Sequence, residues 1–202
     1  MTLEERHWGT AGTKKSGGRH HALNKMVADF VPEGASILEV APGQGHFYGI
    51  LKEEGKITEY HGRDTSPDMR ERFHELFPEA EILPGDVYDL SNEPMADCVI
   101  AVDLLMHLPT DLTVPIQQMW SRVKTGGTLL ITMRHPDSDK ESWIVERNYI
   151  SDKNTAEQGK RLVVRGMRRD EFIDIIRSLG DYSAFVESIY DERTSTWVVK
   201  KK

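Results

Sequence analysis

The chain has 202 residues, 29% of them charged and 38% hydrophobic, the size and balance of one folded, water-soluble domain. No apolar run approaches the roughly 18 residues of a membrane-crossing helix, and the start, MTLEERHWGT, lacks a secretion-type apolar segment, so a cytoplasmic protein with no membrane partner is expected. Acid exceeds base by 33 to 26, a net charge of −7 that disfavours nucleic acid as a partner, and a single cysteine, Cys98, excludes an intrachain disulfide.

Residues 1–18 read as a flexible arm, with Gly9, Gly12, Gly17 and Gly18 among Lys14, Lys15 and Ser16 and no periodicity. Residues 19–202 read as one domain. Its first helix carries Ala22, Leu23, Met26, Val27 and Phe30 at helical spacing and breaks at Pro32 and Gly34. Ser36–Val40 is a short apolar strand, and a helix marked by Phe47, Ile50 and Leu51 follows, ending near Gly55. Ile57–Gly62 reads as a strand, Met69, Phe73, Leu76 and Phe77 as a helix stopped by Pro78, and Glu81–Leu83 as a minimal strand.

Cys98–Val102 is a buried strand, with Cys98 a small core residue. Leu112, Ile116, Met119, Trp120 and Val123 predict a helix that ends at Gly126-Gly127, with Pro115 tolerated only in its first turn. Thr128–Met133 is another buried strand. Residues 134–166 are irregular and charged, and read as an insertion or lid. Phe172, Ile173, Ile176 and Leu179 mark a last helix, and Ser183–Tyr190 with Ser195–Lys200 form an antiparallel hairpin turning at Asp191–Thr194. Apolar strands alternating with amphipathic helices imply an α/β fold with a doubly wound, mostly parallel sheet.

The most informative segment is Glu39-Val40-Ala41-Pro42-Gly43-Gln44-Gly45, because it joins a predicted strand to a predicted helix. Gly43 and Gly45 allow a sharp turn and a close backbone approach to a ligand. Read as Gly43-x-Gly45-x-x-x-Gly49, the turn also suits a nicotinamide dinucleotide. Glu39 discriminates, since an acid beside the turn repels a pyrophosphate and attracts a sulfonium.

On these residues the chain resembles the class I S-adenosylmethionine-dependent methyltransferases, whose first motif runs acid-x-Gly-x-Gly-x-Gly. Glu39, Gly43 and Gly45 match it, and Ala41 stands where the family usually has its first glycine. Asp64, with Thr65 beside it, lies 19 residues beyond Gly45 at the end of the second strand, where the resemblance implies a carboxylate on the ribose hydroxyls. It likewise implies that Asp86 faces the adenine amino group, that Val87 packs on the ring, and that backbone near Val102 and Asp103 faces the methionyl part. RVKTGGTLLITM resembles the family's helix end, Gly-Gly turn and fifth strand. The resemblance thus implies a seven-stranded, Rossmann-like methyltransferase sheet with S-adenosylmethionine as cofactor and a small-molecule oxygen or nitrogen acceptor.

An amine or hydroxyl acceptor needs a base, and His107, following the fourth strand, and His135, following the fifth, are the candidates. Arg134 suits an anionic substrate group, and Trp8, Tyr48, Trp143 and Tyr149 suit an apolar cavity. Trp120 and Trp197 read as core, and Arg161, Arg165, Arg168 and Arg169 as a solvated face. No His, Asp and Glu set has metal-ligand spacing, so no metal is expected. Two alternatives stay open: an NAD(P)-dependent oxidoreductase, and a regulatory module that binds S-adenosylmethionine without catalysis.

Overall fold

The computed structural model describes residues 18–108, 111–137, 140–148 and 161–202. The expected arm lies outside the described residues apart from Gly18, as do Trp8, Tyr149 and the centre of the 134–166 insertion.

Seven strands form one sheet: β1 (Ala35–Val40), β2 (Ile57–Asp64), β3 (Ile82–Pro84), β4 (Ala96–Ala101), β5 (Val123–Arg134), β8 (Tyr182–Asp191) and β9 (Thr194–Lys201). Their order is β3-β2-β1-β4-β5-β9-β8. Pairing is parallel from β3 through β5, and antiparallel between β5 and β9 and between β9 and β8. All six residues of β1 are buried, as a central strand with covered faces demands.

Helices cover both faces: α1 (Gly18–Ala28), α2 (His46–Glu53), α3 (Pro67–Leu76), α4 (Thr113–Ser121) and α5 (Arg169–Ser178). On one face Leu23 and Val27 of α1 and Phe47 and Leu51 of α2 pack with Ile37, Cys98, Ile100 and Leu130. On the other, Ile116 and Met119 of α4 and Phe172 and Ile176 of α5 pack with Leu38, Val99, Leu129, Ile131 and Trp197. Each such large side chain contributes about 1.5–3 kcal/mol relative to exposure. Cys98 is a core residue, its thiol pushed up to about 12 by burial. Among the described residues no helix is long and apolar enough to cross a membrane.

Two segments differ from the sequence expectation. The helix expected to run to Gly126 stops at Ser121, with Arg122 as its cap, and Val123 already belongs to β5, paired with Ala96. Gly126 and Gly127 lie inside that strand. Gly126 has φ 77°, and a Cβ on Gly127 would meet the Asp97 carbonyl oxygen at 2.8 Å, so the pair lets β5 press against β4. The insertion contains regular structure, a separate antiparallel pair formed by β6 (Trp143–Asn148) and β7 (Arg161–Gly166). Pro115 occupies the first turn of α4, where its missing N–H costs no helical bond.

Candidate functional site

Strand order reverses at β1, which has β2 on one side and β4 on the other. In doubly wound sheets ligands bind beyond the carboxyl ends of the strands at such a reversal. Residues 41–45 form the turn there. Ala41, Gly43 and Gly45 are all left-handed, with φ of 59°, 57° and 82°. That alternation turns the chain from β1 into α2 in a few residues. A Cβ on Gly45 would sit 2.8 Å from the rings of Phe73 and Phe77, so packing requires glycine. At Gly43 a Cβ would meet nothing within 4 Å, so this side of the turn is open.

Asp64 joins the turn to the end of β2. One carboxylate oxygen accepts the Gly43 N–H at 3.1 Å and the other the Ser66 N–H at 2.8 Å. The Ala41 N–H donates to the Arg63 carbonyl at 2.7 Å, closing the same junction. Ser66 caps α3, with Pro67 at its first position, so the acid before this helix start serves both loops. Burial raises the Asp64 pKa, opposed by the two N–H groups and by Arg70. Thr65, next to it, is exposed.

Glu39 lies one strand inward, 2% exposed, and accepts the Tyr60 O–H at 2.7 Å. Burial pushes its carboxyl up from 4.5 to about 7, against the Tyr60 hydrogen bond and with help from Asp64. Glu39 is therefore not the fixed negative charge that its place beside the turn suggests. At neutral pH the folded protein holds it only partly ionised, so it attracts a sulfonium less than a full charge would.

The remaining expected positions lie at the same carboxyl edge. Asp86 is exposed after β3 and accepts the Tyr88 N–H at 3.1 Å, while Val87 is buried in the core. After β4, Val102 is partly exposed, and Asp103, left-handed at φ 54°, donates its N–H to Thr132 Oγ1 at 2.7 Å. A one-turn 3-10 helix, Leu105–His107, follows and leaves His107 partly exposed.

His135 is placed differently from expectation. Its N–H donates to the Arg193 carbonyl, continuing the β5–β9 pairing, and its ring is 1% exposed between Phe172 and Trp197. Nδ1 bonds the Met167 carbonyl at 2.7 Å, and Nε2 lies 3.6 Å from Glu187. Burial holds its pKa below the usual histidine value. A ring so enclosed has no access to a substrate. Arg134 lies over the Trp143 ring at 6.0 Å, and Tyr48 packs in an aromatic cluster with Tyr60, Phe73 and Phe77 rather than in a cavity. Tyr60, Gln44 and Thr132 were not legible as site residues. Only Gln44 carried a signal, its place inside the turn.

The folded state binds the Glu39 proton between pH 4.5 and about 7 and the unfolded chain does not, so Glu39 lowers stability as pH rises through that window. Glu39→Gln should therefore gain on the native protein between pH 5 and pH 8 by up to about 3 kcal/mol in urea denaturation, and a constant difference contradicts the buried acid. A left-handed alanine is strained, so Ala41→Gly should add about 0.5–1 kcal/mol and raise the thermal midpoint. A lower midpoint contradicts that backbone.

Residues 17–168 match the family profile of a methyltransferase domain, well over half of the chain. A carboxy-S-adenosyl-L-methionine synthase from Psychrobacter sp. (strain PRwf-1) is 27% identical over 158 residues, covering 74% of this chain. The chain spans only 56% of that curated relative's length. Among solved structures, the PH0226 protein from Pyrococcus horikoshii OT3 superposes with a TM-score of 0.70 at 16% identity, covering 100% of both chains. The glycopeptide N-methyltransferase MtfA complexed with S-adenosyl-L-methionine superposes with a TM-score of 0.66 at 14% identity, covering 93% of this chain and 89% of that one. These structural likenesses bear on the fold, which is the Rossmann-like methyltransferase fold. The chain belongs to the class I methyltransferase family, which uses S-adenosylmethionine as its cofactor.

Proposed function

We propose that the chain transfers a methyl group from S-adenosylmethionine to an oxygen or nitrogen of a small molecule. The observation that carries this reading is the buried Asp64 carboxylate, bonded to the glycine-rich turn at the point where strand order reverses. The residues present fit the cofactor. Gly43 leaves an open face, Gln44 Nε2 is a buried donor with no hydrogen-bond partner among the described residues, and Asp64 keeps acceptor capacity beyond its two N–H bonds. The MtfA likeness supports a small acceptor, and the net charge of −7 goes against nucleic acid.

Bound there, S-adenosylmethionine supplies an electrophilic methyl on a positively charged sulfur. The chain's residues bind and orient. Ala41, Gly43 and Gly45 give the backbone its close approach, and Asp64 with Thr65 receives the ribose hydroxyls. Asp86 and Val87 take the adenine end, Val102 and Asp103 the methionyl end, and Glu39 contributes partial negative charge beneath the turn. Holding the acceptor in line is the main source of rate. His107, partly exposed just beyond β4, takes the acceptor's proton. His135 supports the β5 edge from inside the core. The family match stands against the nicotinamide alternative.

Calorimetric titration with S-adenosylhomocysteine should show saturable binding, weakened at least tenfold in Asp64→Ala and in the isosteric Asp64→Asn. Label from methyl-tritiated S-adenosylmethionine should pass to an acid-soluble product of a small-molecule extract. His107→Gln should slow that transfer by roughly a hundredfold without changing S-adenosylhomocysteine affinity. Binding of NADPH with none of S-adenosylhomocysteine overturns the reading, and cofactor binding without transfer favours the regulatory module.

A further inference from the structure

Arg165 was expected on a solvated face, yet it is 4% exposed. It sits on β7, one residue from the root of the β6–β7 pair. That root is pinned: the Met167 N–H donates to the Arg134 carbonyl at 3.0 Å, and the Arg168 N–H donates to Ser142 Oγ at 2.8 Å. Gly166 lies against Trp143, where a Cβ would come within 2.8 Å of the ring. β7 runs beside the one-turn helix Leu105–His107, the element that carries the proposed base.

A comparably buried arginine shows what such a group ordinarily has. Arg63, 8% exposed, donates to Glu93 at 2.6 Å and to the Gly62 carbonyl at 2.8 Å. Among the described residues Arg165 Nε has no hydrogen-bond partner and no carboxylate lies within 4.0 Å of its guanidinium. Its electrostatic neighbours are Tyr88 and Asp111. The Asp111 carboxylate caps the start of α4 through Oδ1, which accepts the Thr113 N–H at 2.8 Å and Oγ1–H at 2.7 Å, and it acts on Arg165 through its charge from beyond ion-pair distance. A guanidinium cannot discharge its cost by losing a proton, so burial with a carboxylate near but not in contact leaves a planar fork that a bound carboxylate or phosphate completes.

We propose that Arg165 is the receptor for an anionic group of the methyl acceptor, so that the substrate class is small molecules bearing a carboxylate or phosphate. This rests on the methyltransferase reading above. The other source of such a group is the methionyl carboxylate of the cofactor, and the test separates the two.

Native protein saturated with S-adenosylhomocysteine is titrated with acetate, benzoate and inorganic phosphate, with benzamide as the uncharged control. At least one anion should bind saturably and benzamide should not. Arg165→Gln should weaken that anion at least tenfold, and Arg165→Lys, which keeps the charge but not the fork, about threefold to tenfold. The affinity of both variants for S-adenosylhomocysteine should stay within twofold of the native value. If the glutamine variant does not fold, the lysine variant decides. Undiminished anion binding in the variants, or none in the native protein, overturns the proposal. So does a tenfold loss of S-adenosylhomocysteine affinity in Arg165→Gln, which would assign the guanidinium to the cofactor. Failure of the native protein to bind S-adenosylhomocysteine would instead fail the methyltransferase reading itself.

Discussion

One buried carboxylate ties the site together. Asp64 holds the glycine-rich turn through Gly43 and the start of α3 through Ser66, so two loops from different strands keep a fixed relation. Taking a carboxylate out of water is costly, and the two N–H groups with Arg70 only partly offset that cost. An acid kept buried at a turn, with acceptor capacity left over, is better explained by what it receives than by what it stabilises.

The sheet places this junction where strand order reverses, and the turn carries local strain. Three left-handed residues at alternate positions, one of them Ala41, are tolerated because Gly45 is clasped by Phe73 and Phe77 and because Ala41 is bonded to Arg63. Glu39 adds an electrostatic counterpart. Its carboxyl, near neutrality in pKa, is a group whose charge responds to a cation arriving above it.

The strands β1, β4 and the core of β5 were legible because buried parallel strands read as continuous apolar runs, and the β8–β9 hairpin because turn residues separate two such runs. The glycine-rich turn was legible through its context between a strand and a helix. What local pattern could not supply was register. Val123 looked helical because it continued a helical apolar face, but pairing with Ala96 makes it a strand. Tyr60 reaches Glu39 only because β1 and β2 align Glu39 with Gly62. His135 follows β5 at the ligand edge, as expected, but pairing into Arg193 leaves its ring enclosed in the core. Arg165 reads as solvent-facing because its burial comes from β7 packing beside the one-turn helix, a contact that its neighbours in sequence do not encode.

Everything proposed for this chain requires a cofactor seated against the turn fastened by Asp64. That placement is tested most directly by amide chemical shifts of the labelled protein on addition of S-adenosylhomocysteine. The largest changes are expected at Gly43, Gln44, Thr65, Val87 and Asp103, on four segments that meet at the carboxyl edge of the sheet. Changes confined to another face of the sheet, with Gly43 and Thr65 unmoved, would contradict it.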